Sequence, residues 1–102
     1  MILKISKAIK NVNMDFKPLT SAQIRAARSL IRWSAEDLAR QSSLSVATIR
    51  RAELTDDETS MTTSNDLAVR RALESAGVEF IDENGGGPGV RLRKSGKEKP
   101  QK

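Results

Sequence analysis

The stretch SAEDLARQSSLSVATIRRAE, residues 34–53, decides the fold of this 102-residue chain. It contains two short amphipathic helical patterns separated by a polar break at residues 42–44, and the second pattern includes the arginine pair Arg50 and Arg51. The apolar positions that would join the two helices are Leu38, Ala39, Val46 and Ile49. Their spacing suits two short helices that cross at a steep angle, so the stretch predicts a helix-turn-helix.

The composition predicts one small, mainly α-helical domain without catalytic activity. Hydrophobic residues make up 37% of the chain and aromatic residues only 3%, so a core of Leu, Ile, Val and Ala is expected. Such a core suits packed helices better than a β-sandwich. Cysteine and histidine are both absent, which removes thiolate chemistry, the commonest zinc ligand and the commonest general base. We therefore expect no catalytic residues, no metal and no cofactor.

The charge of the chain indicates a polyanionic partner. The net charge is +5, and basic residues are concentrated towards the two ends. Basic ends of this kind favour nucleic acid, although solubility alone is an alternative explanation. No apolar stretch is long enough to cross a bilayer or to form a signal-peptide core, so a cytoplasmic location without membrane association is expected.

An N-terminal arm, residues 1–20, precedes the predicted helices, and Pro18 marks its end. Apolar residues in the arm recur at spacings of three and four, so the arm is either flexible or a short amphipathic helix. Ser21 is the predicted N-cap of a first helix that runs to about Trp33. The expected inner face of this helix consists of Ile24, Ala27, Leu30 and Ile31.

Serines mark the starts of the next two helices. Ser34, with Asp37 three residues later, forms an acidic variant of the capping box, and the second helix should run from there to about Gln41. Ser45 is the predicted cap of a third helix over residues 46–53.

A polar, acidic loop at residues 55–63 should follow the third helix. Thr63 and Asp66 resemble another capping box, which would start a last helix, and Gly77 should end that helix in a left-handed conformation. The predicted helix-turn-helix domain therefore spans residues 21–77.

Two short strand-like runs then predict a C-terminal β-hairpin at residues 78–94, ahead of a disordered basic tail at residues 95–102. The predicted strands, residues 78–81 and 90–93, flank a glycine-rich loop. This loop is interpreted as a connector rather than a phosphate site, because a strand follows it and Pro88 lacks a backbone donor.

Double-stranded DNA is the expected partner of a helix-turn-helix, whose second helix enters the major groove with its N-terminal residues nearest the base edges. The candidate DNA-binding residues are Ser34, Ser45, Val46, Ala47, Thr48, Arg50 and Arg51. The small side chains and the threonine methyl could touch thymine methyl groups, and either arginine could read guanine. The alternative for both arginines is contact with phosphates, which positions a protein without specifying sequence.

One recognition helix covers few base pairs, so a homodimer on a palindromic site is expected. The predicted hairpin offers Phe80 and Leu92 as a dimer contact across a two-fold axis. The alternative is that the hairpin packs on the helices of its own chain.

The segment LARQSSLSVATIRRAE, residues 38–53, resembles the helix-turn-helix of the Cro/CI-type (XRE) family. The family pattern is an LA pair, a small residue, an apolar-Ser step, a Thr-Ile pair and a closing Glu, and the resemblance covers about residues 21–77. It implies a lambda-repressor-like helix-turn-helix bundle of four to five helices, here followed by the short hairpin. It also implies a DNA-binding transcriptional regulator that acts as a repressor.

The resemblance further implies a structural ion pair. Arg28 on the first helix matches the family's arginine that pairs with the glutamate closing the recognition helix, here Glu53. If such a pair is buried, removing one partner costs about 3–5 kcal/mol. The alternative is an exposed pair that contributes little.

Three departures from the family pattern concern contacts with the DNA backbone. Ala35 stands where a phosphate-binding glutamine is common, Ser43 stands at the turn glycine, and the loop after the third helix is acidic at Asp56, Asp57 and Glu58. These acids favour an alternative interpretation, an antitoxin-like module that binds a toxin-like protein partner and for which DNA binding is secondary.

Overall fold

Four helices followed by a two-stranded antiparallel hairpin make up the protein, in a computed structural model that describes residues 16–94. The elements are α1 (Ser21–Ile31), α2 (Ala35–Ser42), α3 (Val46–Ala52), α4 (Thr63–Ser75), β1 (Val78–Ile81) and β2 (Gly89–Leu92). The predicted mainly α architecture with a C-terminal hairpin is confirmed. The basic tail and most of the N-terminal arm lie outside the described residues. In the described part of the chain, no helix has the length and apolar character needed to cross a membrane.

One apolar core joins the helices and the hairpin. Its buried members are Leu19, Ile24, Ala27, Ala35, Leu38, Ala39, Ile49, Ala52, Val69, Leu73 and Val78. Leu38 and Ile49 are fully buried, as the spacing of residues 34–53 predicted. The prediction that Leu30 faces inward is wrong, because this residue lies about 120° around α1 from Ile24 and is exposed.

The cap of α1 is Thr20 rather than the predicted Ser21. The Thr20 hydroxyl accepts from the Gln23 N–H, and Gln23 Oε1 accepts from the Thr20 N–H at 2.9 Å. Ser21 has another role, because its buried hydroxyl donates to the Ala52 carbonyl. That bond ties the start of α1 to the end of α3.

The cap of α4 is Thr62 rather than the predicted Thr63, because Thr62 has an extended backbone and accepts from the Asn65 N–H. Asp66 is buried, and its Oδ2 accepts from the Leu19 N–H at 3.0 Å. Leu19 is itself a core residue. The packed domain therefore includes the last residues of the predicted flexible arm.

Left-handed backbone ends α1 and α2. Arg32, with φ of 59°, follows α1, which ends two residues before the predicted end, and Ser43, with φ of 62°, follows α2. Gly77 follows α4 with φ of 106°, as predicted, and its N–H donates to the Glu74 carbonyl at 3.0 Å. Positive φ therefore costs less backbone strain at Gly77 than at the non-glycine residues Arg32 and Ser43.

The hairpin packs on α1 and α4 of its own chain. Phe80 and Val90 are paired across the two strands and lie against the core. Gln23 of α1 donates from Nε2 to the Gly89 carbonyl at 3.0 Å. Of the two alternatives for Phe80, packing on the chain's own helices is therefore the observed one, whereas Leu92 is half exposed.

Asp66 and Asp37 give the stability of this fold opposite dependences on pH. Burial raises the pKa of Asp66, whereas a hydrogen bond from the Ser34 backbone N–H, followed by one from Arg40, lowers the pKa of Asp37. Stability that comes from a raised carboxyl pKa is present below the unfolded pKa and is lost as the pH rises. Stability that comes from a lowered carboxyl pKa is present above the unfolded pKa and is lost as the pH falls.

We expect the free energy of unfolding of Asp66→Asn, relative to the wild type, to rise between about pH 3 and about pH 7. The same difference for Asp37→Asn should fall over that window. Urea denaturation at several pH values measures both differences. A difference for Asp66→Asn that falls with rising pH would contradict the assignment of a buried carboxyl with a raised pKa.

Candidate nucleic-acid interface

The third helix, α3, buries one side and exposes the other. Ile49 and Ala52 lie in the core. The exposed residues of α3 and its cap are Ser45, Ala47, Arg50 and Arg51. Thr48 is half-buried, and Val46 packs partly against the core. Val46 therefore has less surface to offer a ligand than the sequence suggested.

Ser34 and Ser45 are the N-caps of α2 and α3, as predicted. Ser34 Oγ accepts from the Asp37 N–H at 3.0 Å, and Ser45 Oγ accepts from the Thr48 N–H at 3.1 Å. A hydroxyl that accepts in a cap keeps its own proton for donation. Ser34 therefore holds the N-terminus of α2 in place while it retains a donor, whereas the Ser45 hydroxyl also shares a hydrogen bond with the Thr48 hydroxyl at 2.9 Å.

Arg50 is joined to Glu36 of α2, a contact that the sequence analysis missed. Arg50 Nη2 lies 2.6 Å from Glu36 Oε2, and both side chains are about half exposed, at 53% and 55%. The two residues are 14 positions apart, so no helical periodicity signals the pair. The contact places the first turn of α2 beside the exposed side of α3.

Arg51 borders a small cleft between α3 and the start of α4. The residues that line this cleft are Thr48, Arg51, Ala52, Ser60, Met61, Thr62 and Asn65. Within residues 16–94, no carboxylate forms an ion pair with Arg51. The N-terminus of α4 thus lies on one side of α3, and the N-terminus of α2 lies on the other.

The ion pair predicted between Arg28 and Glu53 is present and bidentate. Arg28 Nε and Nη2 donate to the two carboxylate oxygens of Glu53 at 2.7 and 2.8 Å, and the exposed fractions of the two side chains are 22% and 9%. Arg28 also donates to the Trp33 carbonyl at 2.9 Å. The hydrogen bond to Glu53 is the main reason why the pKa of Arg28 is raised. The pair joins α1 to the residue that ends α3.

The acidic loop after α3 folds back along the start of α1. The Ser21 N–H donates to the Asp57 carbonyl at 2.9 Å, and the Thr59 N–H donates to the Leu19 carbonyl at 3.1 Å. Asp57 and Glu58 therefore line a cleft beside the hairpin turn, not the cleft that contains Arg51.

Backbone N–H groups of the glycine-rich loop between the strands donate to the side chain of Glu83 in the same loop. Glu83 accepts from the N–H groups of Gly85 and Gly87 at 3.3 and 3.2 Å. These donors are thus already occupied, in agreement with the interpretation of the loop as a connector. Among residues 16–94, no three acidic side chains come together in a group that could hold a metal ion.

A scan against protein-family models finds none that matches this chain, and a search of curated proteins finds no relative.

Arg28→Ala should lower the free energy of unfolding by about 3 kcal/mol, because it leaves the nearly buried Glu53 carboxylate without its partner. Arg40→Ala is the matched control, since Arg40 pairs with Asp37 at 2.6 Å on the exposed surface. That change should cost less than about 1 kcal/mol. Urea denaturation compares the two variants, and equal losses would contradict a structural role for the Arg28–Glu53 pair.

Proposed function

We propose that this protein is a sequence-specific DNA-binding transcriptional regulator in which α2 and α3 form the helix-turn-helix of a lambda-repressor-like bundle. The observation that carries this proposal is the surface around α3. It exposes Arg50 and Arg51 and is flanked by the N-termini of α2 and α4. This arrangement also supports membership of the Cro/CI-type (XRE) family.

The exposed side of α3 suits the major groove. Ala47 and Arg51 are four residues apart and therefore share one face of the helix. The guanidinium of Arg51 could donate two hydrogen bonds to guanine O6 and N7, while Ala47 and the Thr48 methyl could contact thymine methyl groups. The absence of long side chains at positions 46 to 48 would let the helix backbone approach the bases closely.

The flanking helix N-termini suit the phosphate backbone. The first N–H groups of a helix have no partner within the helix, and they favour anions. Ser34 caps α2 and Thr62 caps α4, so both termini have a hydroxyl next to their free N–H groups. These groups would compensate for Ala35, which cannot bind phosphate through its side chain.

A homodimer on a palindromic operator is the form that we propose for binding. The short helix α3 reads one half-site, and a second copy would read the other. Leu92 at the end of the hairpin is 50% exposed and is our candidate for the contact between copies. A cytoplasmic dimer that covers an operator would act as a repressor.

The cleft beside the hairpin favours a second candidate function, binding of a basic protein partner. Four carboxylates, from Asp57, Glu58, Asp82 and Glu83, line this cleft with only two basic residues. An antitoxin-like module would use such a surface for its toxin-like partner, with DNA binding secondary. Selection of duplexes from a random pool at two salt concentrations separates the candidates, because phosphate binding weakens steeply with salt.

Arg51→Ala should lower affinity for the selected operator by about 1–3 kcal/mol while affecting unrelated duplexes less, as expected for an arginine that reads a base. Arg50→Ala, made separately, should also lose more affinity for the operator than for unrelated duplexes. Fluorescence anisotropy with both duplexes measures the effects.

Arg71→Ala is the control for the loss of one positive charge. Arg71 is exposed and lies on α4 in a groove against α2, away from the cleft that contains Arg51. If Arg50→Ala and Arg51→Ala both bound the operator as the wild type does, the assignment of α3 as the recognition helix would be wrong.

Leu92→Ser should weaken self-association and, with it, operator binding, because it removes exposed apolar surface without touching the core. Sedimentation equilibrium measures the first effect and anisotropy the second. Leu54→Ser is the matched control, since Leu54 is 79% exposed but lies after α3 rather than on the hairpin. If the dimer dissociation constant of Leu92→Ser equalled that of the wild type, the contact between copies would lie elsewhere.

A further inference from the structure

The contact between Glu36 and Arg50 joins the two helices of the proposed DNA-binding motif at their exposed surface. A single N–H of Arg50, on Nη2, is used by Glu36 Oε2 at 2.6 Å. A guanidinium carries five N–H donors in a rigid planar arrangement. Arg50 can therefore remain bound to Glu36 and still present two parallel donors to an external acceptor.

Glu36 is itself held in place by positive charge. It is the second residue of α2, where the partial positive charge of the helix N-terminus favours a carboxylate. The hydrogen bond to Glu53 is the main cause of the raised pKa of Arg28, and the charge of Glu36 adds the smallest contribution.

The stability of the fold does not account for the ion pair between Glu36 and Arg50. An ion pair whose partners are both about half exposed contributes little to folding, since water screens the two charges. An ion pair of the same length occurs in the hairpin, where Arg91 Nε and Glu79 Oε1 lie 2.6 Å apart. The two pairs differ in location. Glu36 binds an arginine of the proposed recognition helix, whereas Glu79 binds an arginine of the hairpin.

We propose that Glu36 is a positioning residue that orients Arg50 to read a base and keeps it from binding phosphates, so that it raises the ratio of specific to non-specific DNA binding. This inference rests on the proposed function. Without Glu36, Arg50 would be free to move between phosphates, which every DNA sequence offers equally. The carboxylate would then limit indiscriminate binding by holding the guanidinium in one orientation.

The test compares Glu36→Gln with the wild type on the selected operator and on an unrelated duplex of equal length, each over a range of salt concentrations. We expect the ratio of the two affinities to fall about two- to fivefold, in the range that an exposed ion pair can supply. On the unrelated duplex, the slope of log affinity against log salt should steepen by about 0.9, as one more phosphate is neutralised.

Glu79→Gln is the matched control, because it removes the same charge from an ion pair of equal length in the hairpin. It should leave the affinity ratio unchanged. In the background of Arg50→Ala, the effect of Glu36→Gln on the ratio should disappear, since there is no arginine left to orient. Circular dichroism melting curves check that each variant remains folded.

Three results would overturn the inference. If Glu36→Gln raised affinity equally for both duplexes, Glu36 would act only by repelling DNA. If its effect on the ratio persisted in Arg50→Ala, it would not act through Arg50. If the wild type enriched no operator and bound no duplex, the proposed function would fail and this inference with it, whereas either of the first two results leaves the proposed function intact.

Discussion

The bidentate pair between Arg28 and Glu53 is the constraint on which the arrangement of α3 depends. It fixes the end of α3 to α1, and two further contacts act at the same junction: Arg25 donates to the Glu53 carbonyl at 2.6 Å, and Ser21 donates to the Ala52 carbonyl. The helix α3 has only seven residues, of which Ile49 and Ala52 are buried. Polar contacts at its last turn therefore add to the apolar packing that holds it against α1.

Asp57 and Glu58 lie away from Arg51 in the structure although they follow it closely in the sequence. The arginines of α3 lie beside helix N-termini, whereas the acids of the following loop are drawn back against the start of α1 and towards the hairpin turn. This separation gives the chain two surfaces of different chemistry. If the proposed function holds, Asp57 and Glu58 would not lie between α3 and DNA, and a basic protein partner would bind at a different surface.

The parts of the structure that were predictable are those in which a residue meets a neighbour three or four positions away. The caps at Ser34 and Ser45 and the turn at Gly77 are of this kind, as is the burial of Leu38 within its helical pattern. The cap of α1 was misplaced because Thr20 and Ser21 are both good capping residues. Which of them faces the helix N-terminus depends on Ser21 finding a partner on α3, and local sequence contains no signal for that contact.

The sequence by itself determined where α2 and α3 begin, that Leu38 and Ile49 are buried and, through its resemblance to a family, that Arg28 would meet Glu53. Tertiary structure alone decided that Glu36 meets Arg50, that Asp66 holds the Leu19 backbone and that Gln23 reaches the hairpin, across separations of 14, 47 and 66 residues. The physical reason is that caps and helical faces follow from local hydrogen bonds and periodicity. A contact between distant polar side chains exists only after the apolar core has packed the helices and brought them together.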